Sequence, residues 1–293
     1  MTITSRPGPL EQDGESQIRV GAWSILGSRG GVEALCRSGV DFVGIDAQHG
    51  YFSFDEAALC VQIANLCGVR CFVRVPIDQV DWVPRYLDAG ADGIILAMVS
   101  RVEEVERAVT LSRYQPEGRR SWAGGKRNGV GEDTTAEGVR QAFVPEILPM
   151  IETAEGLEHV AEIAKVPGIA GLYVGPVDLG LAMEGARRQT GGGESPWRDG
   201  VEAVVALARR NGVRSGMFAI DGDDARNWAA IGFNDIVLSS DVALLRRALD
   251  EQLERARAPI TQGDPLRSQA ADPWRGWSPA LDSAQNSASI TVH

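Results

Sequence analysis

Apolar and polar positions follow two rhythms that take turns along the chain. Short apolar runs, many of them β-branched, read as strands, and each precedes a stretch with apolar positions three or four apart, which reads as a helix. The strand-like runs cover residues 18–24, 40–46, 69–75, 93–98, 147–151, 169–174, 213–219 and 235–238. Helical spacing ends near Arg37 in the first unit and then covers 54–66, 80–87, 102–112, 154–164, 198–210, 225–231 and 242–255. Gly39, Gly68 and Gly90 stand where helices stop. Eight strand–helix units without a hairpin signal predict an α/β fold, a (β/α)8 TIM barrel. A doubly wound open sheet fits less well, because no GxGxxG follows the first strand.

The pattern fades at both ends. Residues 1–17 are polar and rich in Pro, Gly and Glu, which predicts a flexible lead-in. Residues 18–257 form the predicted barrel domain. From 258 to 293 Pro, Ser, Asp and Gln dominate around Trp274 and Trp277, and a disordered or loosely docked tail is expected. Inside the barrel, a Gly- and Arg-rich connection over 114–133 and a glycine-rich stretch over 185–195 are both expected to be loops. The first is long enough that a functional role is expected of it.

Composition narrows the function classes. Among 293 residues, 44% are hydrophobic and 34 are glycine, which suits a compact α/β protein with many tight connections. A formal net charge of −11 argues against nucleic acid, whose phosphates require clustered Lys and Arg. It gives no attraction to an anionic membrane surface, and no apolar run reaches spanning length. Cys36, Cys60, Cys67 and Cys71 form no CxxC pair and have no His at zinc spacing, so they read as free thiols in a reducing compartment. No apolar signal-peptide core follows Met1, and a cytoplasmic location is expected.

The candidate chemistry lies at the strand ends, which in a barrel share one face. The fifth and sixth strands lead to Glu152 and Asp178. Two carboxylates so placed suit a hard divalent cation, which completes its shell with water and substrate oxygens. The competing reading makes each acid a helix cap, since carboxylates favour helix N-termini. His49 lies on the loop after the second strand, beside Gly50, where an imidazole can serve as general base. Arg74 sits in an apolar strand and needs an anion. That anion is either a structural partner or a developing oxyanion. The turn at Gly175–Pro176 can offer backbone N–H groups to a carboxylate.

Five motifs, Asp46-x-Gln48-His49-Gly50, Val73-Arg74-Val75-Pro76, Leu87-Asp88-Ala89-Gly90, Met150-Ile151-Glu152-Thr153 and Gly175-Pro176-Val177-Asp178-Leu179, occur in order and in register. Over roughly residues 18–250 the chain resembles the HpcH/HpaI aldolases. These are metal-dependent class II pyruvate aldolases, including 4-hydroxy-2-oxoheptanedioate and 2-keto-3-deoxy sugar-acid aldolases. The resemblance implies a (β/α)8 barrel, commonly a homohexamer that exchanges its last helix between neighbours. It implies Glu152 and Asp178 as ligands of Mg²⁺, Mn²⁺ or Co²⁺, Arg74 as stabiliser of a pyruvate enolate, and His49 supported by Asp88 as the proton-handling pair. It also implies that Trp23, Gln48 and Arg120 line the substrate site, and that Gly175, Pro176 and Val177 hold the substrate carboxylate. The implied substrates are a 2-oxo acid and an aldehyde. Three positions depart from the family pattern: Met150 stands where some members carry Gln, Ala97 replaces a frequent Pro, and the Arg-rich loop reads Pro116 to Trp122 with Arg120 in register.

Two other functions remain open on the sequence. The same site could decarboxylate an oxaloacetate-like 2-oxo acid. A non-catalytic barrel that binds a partner is the different-class alternative.

Overall fold

A computed structural model describes residues 18–123, 135–190 and 197–259. The expected lead-in over 1–17, most of the tail and parts of both long loops lie outside these residues. The chain divides into two compact units, Met1–Arg246 and Arg247–His293. The first contains a closed barrel of eight parallel strands in sequence order. These are β1 (Arg19–Ser24), β2 (Phe42–Asp46), β3 (Arg70–Pro76), β4 (Gly93–Val99), β5 (Glu146–Ile151), β6 (Gly171–Val174), β7 (Arg214–Ala219) and β8 (Asp235–Ser240). The predicted fold class is the observed one.

The helices are α1 (Arg29–Arg37), α2 (Phe54–Leu66), α3 (Val83–Ala89), α4 (Val102–Ser112), α5 (Ala136–Ala142), α6 (Ala154–Glu158), α7 (Val160–Ile163), α8 (Pro176–Thr190), α9 (Trp197–Arg210), α10 (Gly222–Ile231) and α11 (Asp241–Arg257). Local chemistry sets their ends. Ser53 and Glu56 form a reciprocal capping box that starts α2, and Gly90, at φ 111°, stops α3 in a left-handed turn. The described part of the second unit is the end of α11 and the two residues after it.

Two helices, α5 and the part of α8 over 176–184, fall where the sequence reading assigned no element, and three further stretches differ from it. A 3-10 helix over Ile77–Trp82 precedes α3. The single helix expected over 154–164 is split at His159, which is non-helical at φ −94° and ψ 4° while its Nδ1 meets the Ser100 carbonyl at 3.0 Å. Residues 185–190, expected as loop, continue α8. One glycine costs a helix about 1 kcal/mol, and the Ala, Met, Glu, Arg and Gln around Gly185 are good helix formers.

Inward-facing positions stack in layers. At the amino ends of the strands, Arg19 grips Asp235 through two bonds of 2.6 Å and reaches Glu146 at 3.2 Å. Arg70 also binds Glu146, and Arg214 binds Asp235 at 2.5 Å. Burial raises the proton affinity of Asp235, yet its hydrogen bonds and charge contacts with Arg19 and Arg214 bring its pKa below the ordinary value. Above this ionic layer lies an apolar one that includes Phe42, Phe72, Ile95, Leu148, Tyr173 and Val237. Glycines make room for its rings: a Cβ on Gly21 would strike Phe42, and one on Gly216 would strike Tyr173. A larger apolar core lies outside, between strands and helices, and Cys36, Cys60 and Cys71 are buried in it, none of them in a disulfide.

Candidate active site

The third layer, at the carboxyl ends of the strands, is polar. Asp46 ends β2 fully buried. Its Oδ1 accepts from Arg74 Nε at 3.0 Å and from the backbone N–H groups of Gln48 and His49 at 3.0 and 2.9 Å. Its Oδ2 accepts from Arg74 Nη2 at 2.5 Å and from the Trp23 indole at 3.2 Å. Burial pushes the Asp46 carboxyl up, but the Arg74 hydrogen bonds and charge, helped by His49 and Trp23, hold it below the ordinary value. The guanidinium of Arg74 also lies 5.5 Å from the Trp23 ring. Arg74 is thereby fixed by two partners, and Asp46 is the structural anion that the sequence left open.

Glu152 immediately follows β5 and is 2% exposed. Its Oε1 accepts the Met98 amide at 2.7 Å. Met98 holds that amide in place with a left-handed φ of 60°, a costly conformation for a side chain other than glycine. Gly175 lies flat against the carboxylate, where any Cβ would collide with Oε2. Burial pushes the Glu152 carboxyl up to about 7, opposed by the Met98 amide and the charge of Arg74 and assisted by Asp178 and Asp46. Asp178 projects from the first turn of α8 and is exposed.

Trp23, Ile25, Asp46, Arg74, Met150, Glu152, Tyr173, Gly175, Pro176, Val177, Asp178 and Phe218 enclose a cavity of about 160 Å³. Glu152 and Asp178 supply its two acids not tied up by an arginine. The two fit a divalent cation: hard oxygen donors on one cavity, with Glu152 short of compensating positive charge. Among the described residues no cluster of three or more His, Cys, Asp or Glu could hold a metal, so the protein would supply two carboxylates and leave the other positions open.

Across residues 19–248 the chain matches the profile described as HpcH/HpaI aldolase/citrate lyase. The chain belongs to that family. It is 31% identical to a hydroxypyruvate/pyruvate aldolase of Paraburkholderia phytofirmans over 261 residues, covering 83% of this chain and 95% of the relative. A 5-keto-4-deoxy-D-glucarate aldolase of Klebsiella pneumoniae is 29% identical over 238 residues, covering 79% and 90%. Among solved structures, an HpcH/HpaI family protein of Burkholderia cenocepacia superposes with a TM-score of 0.71 at 26% identity, covering 84% of this chain and 96% of that one. As a member of this family the protein is an aldolase, a carbon–carbon lyase.

Against the family-derived expectations, Trp23, Arg74, Glu152, Gly175, Pro176, Val177 and Asp178 come together on one cavity. Gln48 and His49 sit in the turn above Asp46, off the cavity wall; His49 is exposed, while Gln48 Oε1 is buried without a partner among the described residues. Asp88 and Arg120 are not brought to the site within one chain. Asp88 lies at the carboxyl end of α3, five residues before β4 begins, which is the amino face of the barrel. There it pairs with the buried Arg120 at 2.8 Å. A helix after a strand returns the chain to the opposite end of the barrel, so its last turn lies far from the strand's carboxyl end. Sequence reasoning missed Asp46, although an acid closing a fully apolar strand is the same signal that singled out Glu152. It also missed Asp241, whose carboxylate accepts from Ser24 Oγ at 2.9 Å and from the Ile25 and Leu26 amides at 2.9 and 3.2 Å. Asp241 thereby fixes the loop after β1 beside the cavity.

Proposed function

We propose that the protein is a divalent-metal-dependent class II aldolase that cleaves or forms 4-hydroxy-2-oxo acids through a pyruvate-type enolate. The observation that carries this reading is the placement of Glu152 and Asp178 on one cavity with the clamped Arg74. Glu152 and Asp178 are the residues that would hold Mg²⁺, Mn²⁺ or Co²⁺. Once bound, such a cation supplies Lewis-acid polarisation of the substrate's 2-oxo group.

The chain's own residues do the rest. The first turn of α8 has free N–H groups for the substrate carboxylate. Pro176 has no N–H to give, so the amides of Val177 and Asp178 are the donors there. The 4-hydroxyl proton passes to His49, the C3–C4 bond breaks, and its electron pair moves into the enolate as the aldehyde leaves. Arg74 Nη1, the guanidinium nitrogen that Asp46 leaves free, would donate to the oxygen on which charge develops. The proton held by His49 is returned, through solvent, to C3, which completes pyruvate and regenerates the base. Asp88 cannot support His49 within one chain. In a homo-oligomer, hexameric on the family resemblance, a neighbouring copy's Asp88 is the one available. Exposed Leu245, Leu249 and Leu253, spaced four apart on α11, are consistent with assembly.

The test is to supply the purified protein with Mn²⁺, pyruvate and a panel of aldehydes, and separately with oxaloacetate. A carbon–carbon product that requires both metal and aldehyde is expected. Oxaloacetate decarboxylation with no aldehyde-dependent product would instead favour the decarboxylase, and no activity or metal binding the silent barrel.

A further inference from the structure

The first turn of α8 carries Asp178 and the carboxylate-binding amides; Leu179 anchors it in the core, and a further contact holds its backbone. That contact comes from further along the chain. The indole Nε1 of Trp197, the first residue of α9, donates to the Pro176 carbonyl at 3.2 Å. A carbonyl oxygen has two lone pairs, so this bond adds to the helix's own hydrogen bonding rather than replacing it. The indole edge also lies over Gly180, one turn further along: a Cβ there would sit 3.5 Å from Nε1 and 3.6 Å from Cδ1. Trp197 therefore bonds to α8 just before Asp178 and lies alongside the helix just after it.

The indole is itself held. Trp228 of α10 packs edge-on against it at 5.7 Å between centroids, and Phe233 packs edge-on against Trp228 at 5.9 Å. Trp228 Nε1 is buried with no partner among the described residues, so Trp228 contributes its ring and Trp197 contributes a ring and a directed N–H. Such an aromatic column has few rotatable bonds, which suits it to fix a distant backbone atom.

We infer that Trp197 is a positioning residue: its indole N–H pins the first turn of α8 and so sets the placement of Asp178 opposite Glu152. The consequence for metal binding rests on the proposed role of Asp178; the pinning of the helix does not. Trp197→Phe keeps the ring and removes the N–H. Trp228→Phe is the control, because it alters the same column without removing any hydrogen bond seen here.

Two measurements on the full-length variants separate the parts. Amide hydrogen exchange across 179–182 should be about three- to tenfold faster in Trp197→Phe, the worth of one ordinary hydrogen bond, and unchanged in Trp228→Phe. Unchanged exchange in Trp197→Phe overturns the inference, whatever the metal does. Calorimetric titration with Mn²⁺ alone should show a similar loss of affinity in Trp197→Phe. The metal-dependent reaction should show a raised KM for the 2-oxo acid and a smaller change in kcat. Faster exchange with Mn²⁺ binding equal to the parent keeps the pin but removes its link to Asp178. If the parent binds no Mn²⁺, the metal reading fails and the exchange result still decides the positioning.

Discussion

Asp46 and Arg74 meet as a fork, Nε to Oδ1 at 3.0 Å and Nη2 to Oδ2 at 2.5 Å, on neighbouring strands where the two residues are register partners. A guanidinium held at two points cannot swing, so its remaining nitrogen keeps one direction. Asp46→Asn leaves the shape and removes the charge. Breaking a buried pair this way costs about 3–5 kcal/mol, and misaiming the cation costs activity of the order of a hundredfold. Chemical denaturation and steady-state kinetics check both.

The same aspartate gives an acid-side signature. Its folded pKa is depressed, so the stability it contributes is present above the unfolded value of about 3.9 and is lost as pH falls through the folded value. Denaturation followed from about pH 5 down to about pH 2 should show the parent losing this component while Asp46→Asn lacks it. Parallel acid limbs would contradict the assignment.

Glu152 behaves in the opposite sense. In the metal-free protein its pKa is raised to about 7, so its ionisation destabilises the fold as pH climbs from the unfolded value toward neutrality. Burial is the main cause and Asp178 adds to it, so Asp178→Asn should lower the Glu152 pKa and flatten that loss. Mn²⁺ should compete with the proton, binding more weakly as pH drops below about 7 in the parent. A carboxyl-resolved NMR titration reads the first effect and calorimetry the second.

Gly175→Ala tests the packing of the carboxylate. The new methyl would collide with Glu152 Oε2 and with the Cβ and Cδ behind it. The barrel should still fold, because Gly175 lies beyond the end of β6, but Mn²⁺ affinity should fall at least tenfold as Glu152 is displaced. Affinity equal to the parent would show that Glu152 is not a ligand.

Met98 stores strain for the sake of one amide. Met98→Gly relieves a left-handed penalty of about 1–2 kcal/mol and adds a chain-entropy cost of about 0.5–1 kcal/mol, so stability should hardly change and activity should persist. Met98→Val keeps the penalty on a stiffer side chain, and both stability and Glu152-dependent metal binding should fall.

Much of this was legible because local and tertiary signals agree. The eight strands were found from apolar runs, and all eight lie within one to two residues of their expected ends. Glu152, Asp178 and Arg74 were legible from a single rule, polarity at the carboxyl end of an apolar strand. Asp88 was not placed by that rule: it ends a helix, was joined to His49 only through the family resemblance, and lies at the opposite end of the barrel from the strands' carboxyl ends. Asp241 and Trp197 were beyond reach for another reason. Their partners, Ser24 and Pro176, are 217 and 21 residues away, and such pairings exist only once the barrel closes or α9 packs on α8.

The ionic layer of Arg19, Arg70, Glu146, Arg214 and Asp235 has a consequence for traffic through the enzyme. Together with the apolar layer above it, it closes the barrel below the cavity and makes it a cup rather than a tube. Among the described residues, passage through the amino end of the barrel is blocked, so substrate and products exchange on the side of the strands' carboxyl ends, and whatever binds deepest must leave last.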